Sequence, residues 1–252
     1  MGSAMKRNKT RMGHWTLLMA AALMPTSAQA FDFIDWALGL RAGTPGIGAE
    51  LGIGLGPSLN LRLPANLFKY KFDVEEDDVD YDGKLKLQSF GAVLDYHPFQ
   101  GAFFVSAGVF SNGNRLDLFS RDENGDTEYR IGDDDRVYRS DSNDPLTLTG
   151  HIKFGNAAPY LGLGWGNAIQ GVSNAYFRFE VGVLFQGQGR VGLGSSGSAI
   201  DTQSGESFST QGDSMEAQVF RAELAQEREL IENDISDYEL YPVMSFAVGY
   251  RF

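Results

Sequence analysis

The sequence predicts an all-β fold: a transmembrane antiparallel β-barrel of 8–10 strands with one accessory amphipathic helix. Three observations carry that prediction. Over residues 238–252, Met244, Phe246, Val248, Tyr250 and Phe252 alternate with Ser245, Ala247, Gly249 and Arg251, so a strand here has one fatty aromatic face and one small polar face. The same alternation recurs along most of the chain. No apolar run reaches the ~18 residues of a membrane helix. Membrane residence would therefore be by strands, and backbone groups in hydrocarbon must pair within the protein, which leaves a closed barrel.

The N-terminus reads as an export signal. Lys6, Arg7, Lys9 and Arg11 precede an apolar run from Trp15 to Met24, and Ala28-Gln29-Ala30 is a small-x-small cleavage site. Residues 1–30 are assigned to this signal and residues 31–252 to one barrel domain, which holds 17 basic and 33 acidic residues, a net −16. So acidic a chain is a poor partner for nucleic acid. It has no cysteine, which excludes disulfides and thiolate chemistry.

Residues 31–44 are mixed and fit a first strand or a lead-in. From Gly46, Ile47, Ala49, Leu51, Ile53 and Leu55 alternate with a glycine-rich face. After the Pro57-Ser58 turn, Leu59, Leu61, Leu63, Ala65 and Leu67 alternate with Asn60, Arg62, Pro64 and Asn66. The apolar phase then slips by one and continues as Phe68, Tyr70, Phe72 and Val74, as a β-bulge would make it. A strand follows through Phe90, Ala92, Leu94 and Tyr96, then a tight turn at residues 97–101, then a strand from Ala102 to about Phe119.

Residues 121–144 are charged and show no apolar period, so they read as a long loop. Alternation returns at Leu146 to Phe154, at Leu161 to Trp165 and at Phe177 to Phe185. Residues 188–212 are rich in Gly and Ser, with a short strand candidate at residues 190–194. In residues 213–237, Phe220, Leu224, Ile231 and Ile235 recur at helical spacing, and Asp213 with Glu216 reads as an N-cap and its partner. Eight segments are clear and two more, near residues 36–41 and 190–194, are weaker. Both eight and ten put the chain ends on one side, and the order of turns and loops favours ten.

The signal, the alternating strands and Val248-Gly249-Tyr250-Arg251-Phe252 resemble small bacterial outer-membrane β-barrel proteins of the opacity-protein and outer-membrane-protein-W type. The resemblance covers residues 31–252 as a pattern, and the helix departs from a plain eight-stranded barrel. It implies a monomer in the outer membrane of a Gram-negative cell, among outer-membrane lipid and lipopolysaccharide. It also implies that Phe246, Val248, Tyr250 and Phe252 form the signal read by the barrel assembly machinery. The long acidic loops would lie outside the cell and the turn at residues 97–101 in the periplasm.

Glu50, Arg62, Asp95, His151, Lys153, Arg178, Glu180 and Arg251 fall on predicted lumen faces. They line a solute channel, or they fill the interior with salt bridges, as in narrow barrels. Asp122, Asn124, Asp126 and Glu128 alternate like part of a calcium loop, but Thr127 stands where that loop needs Gly. They form a loose divalent-ion site bridging lipopolysaccharide phosphates, or a solvated acidic loop. A lipid hydrolase would need Ser, His and an acid together, and beyond residue 30 only His97 and His151 are present. No cofactor and no enzymatic activity are expected. The expected function is a narrow pore or structural barrel for small solutes, with a surface interaction protein as the alternative.

On export, cleavage is expected between Ala30 and Phe31. Mass spectrometry of protein from the membrane fraction checks it, and a start upstream of Leu17 would contradict it.

Overall fold

The computed structural model describes residues 35–76, 79–122, 125, 127–132 and 136–252. The export signal expected at residues 1–30 lies outside the described residues. Eight strands close a barrel: β1 (Trp36–Gly43), β2 (Gly46–Gly56), β3 (Leu59–Glu76), β4 (Val79–Tyr96), β5 (Phe103–Asn112), β10 (Ala157–Trp165), β11 (Ala175–Phe185) and β15 (Leu240–Arg251). All neighbours are antiparallel, and the ring closes where β15 pairs with both β1 and β11. Ten strands, the count the turn order favoured, is corrected to eight. The segment near residues 36–41 is the first barrel strand, whereas residues 190–194 belong to β12 (Arg190–Ser196), outside the ring.

Along each barrel strand exposed and buried residues alternate. Leu40, Phe90, Val109, Leu161, Phe177 and Phe246 point outward and are exposed, although they are the residues a soluble core would hold. A belt of such side chains is stable only against lipid. Trp36 stacks on Phe252 at 4.0 Å and Phe103 packs edge-on against Trp165 at 5.3 Å, an aromatic rim at the lower end, where both described chain ends lie. Among the described residues no helix is long and apolar enough to cross a membrane.

Five of the eight strands continue past the belt. A span needs about 9–11 residues, yet β3 and β4 each have 18. β5 is continued upward by β6 (Arg115–Arg121), since Ser89↔Asn112 and Lys86↔Arg115 keep one register along β4. β10 is continued by β9 (Thr147–Lys153) in the same way: Ser111 faces Ala157 and Arg115 faces Lys153. β12 extends β11 with a one-residue offset against the neighbouring strand. The upper half of the ring is thus a five-stranded wall of β3, β4, β6, β9 and β12.

That wall corrects the bulge reading at Leu67-Phe68. The β3–β4 register runs unbroken from Ala65↔Phe90 to Glu76↔Val79; the β2–β3 irregularity lies instead between Gly54 and Gly56. Nothing slips in the backbone. The surroundings change: below the rim the outer face meets lipid, and above it the inner face meets protein. Phe68, Phe72, Leu85, Leu118, Leu148 and Leu193 therefore point inward by the register that sends Asn66 and Ser89 into the lumen.

A cap fills the space within this wall. Residues 121–144, read from the sequence as a loop, contain the hairpin β7 (Glu128–Ile131) and β8 (Arg136–Ser140). With β13 (Ser198–Asp201) and β14 (Ser207–Ser209) it makes a second sheet, ordered β14-β13-β8-β7. The helix α1 spans Met215–Asp234, and its N-cap is Ser214, not Asp213: Ala217 N donates to Ser214 Oγ at 3.1 Å. Phe220 and Ala217 pack with Tyr129, Ile131, Tyr138, Leu146 and Phe208 under the tip of β4 at Val79. Glu223 of α1 accepts from Tyr138 Oη at 3.2 Å and from Arg136 Nη1 at 3.1 Å, tying helix to sheet.

Phe179→Arg would place a cation in the lipid belt, at the level of Phe246. It is expected to cost about 2–4 kcal/mol, read as a lower urea midpoint for refolding into vesicles.

Candidate functional site: a closed lumen below an apolar cavity

Charged residues on inward faces must find partners, because the interior of an eight-stranded barrel is only wide enough for side chains. Here three arginines and three carboxylates meet in one layer, each residue no more than 3% exposed. Arg62 clasps Asp95 with Nε at 2.9 Å and Nη2 at 3.0 Å, and its Nη2 also reaches Glu180 at 2.7 Å. Arg178 donates to Glu50 at 2.9 Å and to Asp95 at 3.3 Å. Arg41 donates to Glu180 at 2.8 Å and to Ser245 at 2.9 Å. Tyr176, Ser106 and Ser245 hydroxyls complete the carboxylates of Glu50, Asp95 and Glu180.

Layers above and below close the lumen further. Above lie Val93, Phe110, Ala158, Tyr160, Leu184 and Val243. Tyr160 lies across Gly162, where a Cβ would stand 2.2 Å from its hydroxyl; only glycine admits the ring. Below, the β10–β11 connection turns inward and buries Ala168 and Ile169 against Ala37 and Tyr176. Asn60, His97 and Asn167 bond together beside it.

The structure thus brings together Glu50, Arg62, Asp95, Arg178 and Glu180 among the residues expected in the lumen. Arg251 sits lower, at the mouth, where Nη2 donates to Asn167 O at 2.5 Å and Nε to Ala168 O at 3.2 Å, and Nη1 to Ser173 O. His151 and Lys153 are corrected: they lie on β9 above the barrel, on the outer face of the wall, opposite inward Leu148 and Ile152. Burial, then Lys153 and Arg115, hold the His151 imidazole below its ordinary value. Arg41 was missed, although Leu38 and Leu40 alternate with Gly39 and Arg41. Phe246, Val248, Tyr250 and Phe252 all point outward and are exposed.

Of the calcium-loop residues, Asn124 and Asp126 lie outside the described residues. Asp122 Oδ1 accepts from Gly125 N at 2.8 Å and from Thr127 Oγ1 at 3.0 Å, shaping its own turn. Glu128 faces Arg139 across the β7–β8 hairpin. Among the described residues no three His, Cys, Asp or Glu side chains are grouped to hold a metal.

Between the wall and the cap lies a cavity of 340 Å³, lined by Leu118, Ile131, Leu148, Leu193, Leu224 and Ile231, with Arg130 and Glu227 as the charged residues of its lining. Most of this lining was invisible to the sequence reading, because it joins the upper wall to the helix across distant segments.

Arg62→Met would leave Asp95 and Glu180 without their main partner in a buried layer. The expected loss is about 3–5 kcal/mol, measured by urea unfolding in vesicles. Arg62→Met with Asp95→Leu is expected to recover part of it.

No protein-family model matches the chain, and no curated protein matches it. Solved structures do. CarO2 of Acinetobacter baumannii is 19% identical, with a TM-score of 0.52, over 86% of this chain and 98% of that one. CarO of Acinetobacter baumannii is 22% identical, with a TM-score of 0.50, over 86% and 97%. A major outer membrane protein from Thermus thermophilus is 16% identical, with a TM-score of 0.41, over 87% and 99%. At such identities the likeness to the two Acinetobacter proteins is one of fold, and the fold is that of outer-membrane β-barrels.

Proposed function

We propose that this protein is a non-conducting outer-membrane barrel that holds a binding domain at the cell surface. The observation that carries this is the buried layer of Arg41, Arg62, Arg178, Glu50, Asp95 and Glu180. A pore needs a continuous wet path. This lumen is crossed by ion pairs, by the aromatic layer around Tyr160 and by the inturned β10–β11 connection. The first two closures are side chains of the barrel strands, so moving the connection aside leaves them shut.

The upper end faces outward in this reading. All of the long insertions lie at the upper end, and the connections at the lower end, as at Pro57-Ser58 and residues 166–174, are shorter, which is the outer-membrane asymmetry. The cap then becomes the working part, and its cavity takes a small, largely apolar molecule with a polar group towards Arg130 and Glu227. No hydrolytic role is proposed. His97 is bonded to Asn60 and to the Gly101 carbonyl, and His151 lies over Gly192.

In planar bilayers the purified protein is expected to show no stable single-channel openings, and reproducible openings would overturn the closed reading. A diazirine fatty-acid probe, after irradiation, is expected to label the lining near Leu148 and Leu193. Leu193→Trp, which fills the cavity, is expected to abolish that labelling. Labelling that persists unchanged would remove the cavity as the binding site.

A further inference from the structure

The chain from residue 31 onward is strongly acidic, yet all five of its lysines gather on one surface. On the outer face of the upper wall the register aligns Lys69 with Lys86, Lys86 with Arg115, Arg115 with Lys153 and Lys153 with Arg190. Five cations thus stand side by side on five adjacent strands, a row about 20 Å long. The next row up repeats the pattern in part, with Lys71 facing Lys84.

Like charges directly opposite across strands are destabilising, so the row is unfavourable unless an anion sits on it. Among the described residues, protein groups answer only part of it. Arg115 pairs with Asp117, and Lys84 lies 4.5 Å above the Phe119 ring. Asp73 faces Asp82 one row higher. Lys69, Lys153 and Arg190 are exposed.

The height of the row identifies the anion. Leu67, the outward residue just before Lys69 on β3, is exposed as part of the apolar belt, and Phe90 lies two outward steps below Lys86 on β4. The cations therefore begin where hydrocarbon ends, at head-group depth. Below them, past Gln88 and Ser111, stand the apolar Leu67, Phe90 and Val109; above them the carboxylates of Asp73, Asp82 and Asp117 appear. A ligand that satisfies both levels has acyl chains under a phosphorylated head.

We propose that Lys69, Lys86, Arg115, Lys153 and Arg190 form a binding face for the phosphates of lipopolysaccharide, with its acyl chains against Leu67 and Phe90. This rests on the outward placement of the cap given above. Lysine and arginine bind phosphate by charge-assisted hydrogen bonds, and a row on rigid strands presents several at fixed spacing.

The test uses the full chain in detergent, with lipid A as probe, measured by native mass spectrometry. The variant Lys69→Gln/Lys86→Gln/Lys153→Gln is expected to bind lipid A about a hundredfold more weakly, roughly fivefold for each cation removed. Dephosphorylated lipid A is expected to bind wild type as weakly as lipid A binds the variant. The control Arg139→Gln/Arg228→Gln, in the cap, is expected to bind like wild type. Equal lipid A affinity in wild type and the triple variant would overturn the proposal. So would phosphatidylglycerol or inorganic phosphate competing as well as lipid A. If the triple variant fails to fold, Lys153→Gln alone is expected to lose about fivefold, and unchanged binding there overturns the proposal equally. Because the chain lacks cysteine, Ser204→Cys in the cap reports orientation through a membrane-impermeant maleimide on intact cells. Labelling without any lipid A difference rejects the phosphate face alone, whereas no labelling rejects the outward cap on which it rests.

Discussion

The interior of an eight-stranded ring must be filled by side chains, and here it is filled with charge. Three guanidiniums and three carboxylates, all buried, neutralise one another across five strands. A buried ion pair stabilises little over an apolar filling, yet removing one partner is costly. The layer therefore fixes which strands lie opposite which, more than it adds stability. It needs the glycines that let Tyr160 lie flat, and the serine and tyrosine hydroxyls that take up the remaining carboxylate lone pairs. It also fills the lumen at mid-height with buried side chains.

The second constraint is strand length. Strands longer than the bilayer must end in some other medium, and these five end around a protein core. The wall supplies apolar side chains on its inner face, and α1 with the small sheet supplies the matching surface through Phe220, Tyr138 and Phe208. The cap is therefore no loop excursion: the barrel strands themselves form one side of it.

Much of the ring was legible in the sequence, because lipid outside and lumen inside impose a period of two. What could not be read was where the medium changes. At Leu67-Phe68 the apolar phase moved to the other face, and sequence alone does not separate a backbone slip from a new environment. The same ambiguity sent His151 and Lys153 into the lumen, although their alternation was read correctly. Residues 121–144 looked structureless because Tyr129, Ile131 and Tyr138 sit in strands of four and five residues among charges, too short for a period to show. Arg41 was passed over because residues 31–44 read as mixed. The helix was plain from its spacing, but its seat was not, since the surface it covers comes from distant segments.

The charge layer also divides along the chain. Arg41 and Glu50 belong to the first hairpin, Arg62 and Asp95 to the second, and Arg178 and Glu180 to a single strand. Within these sets the ions lie 3.7, 2.9 and 3.4 Å apart. Each piece of wall is thus electrically balanced before the ring exists. A growing sheet that adds these pieces in turn carries each charge of this layer into the bilayer beside its opposite, and only Arg251, at the mouth, is held by backbone carbonyls instead. Final closure, when Phe252 N meets Trp36 O at 2.9 Å, rearranges partners without changing the sum.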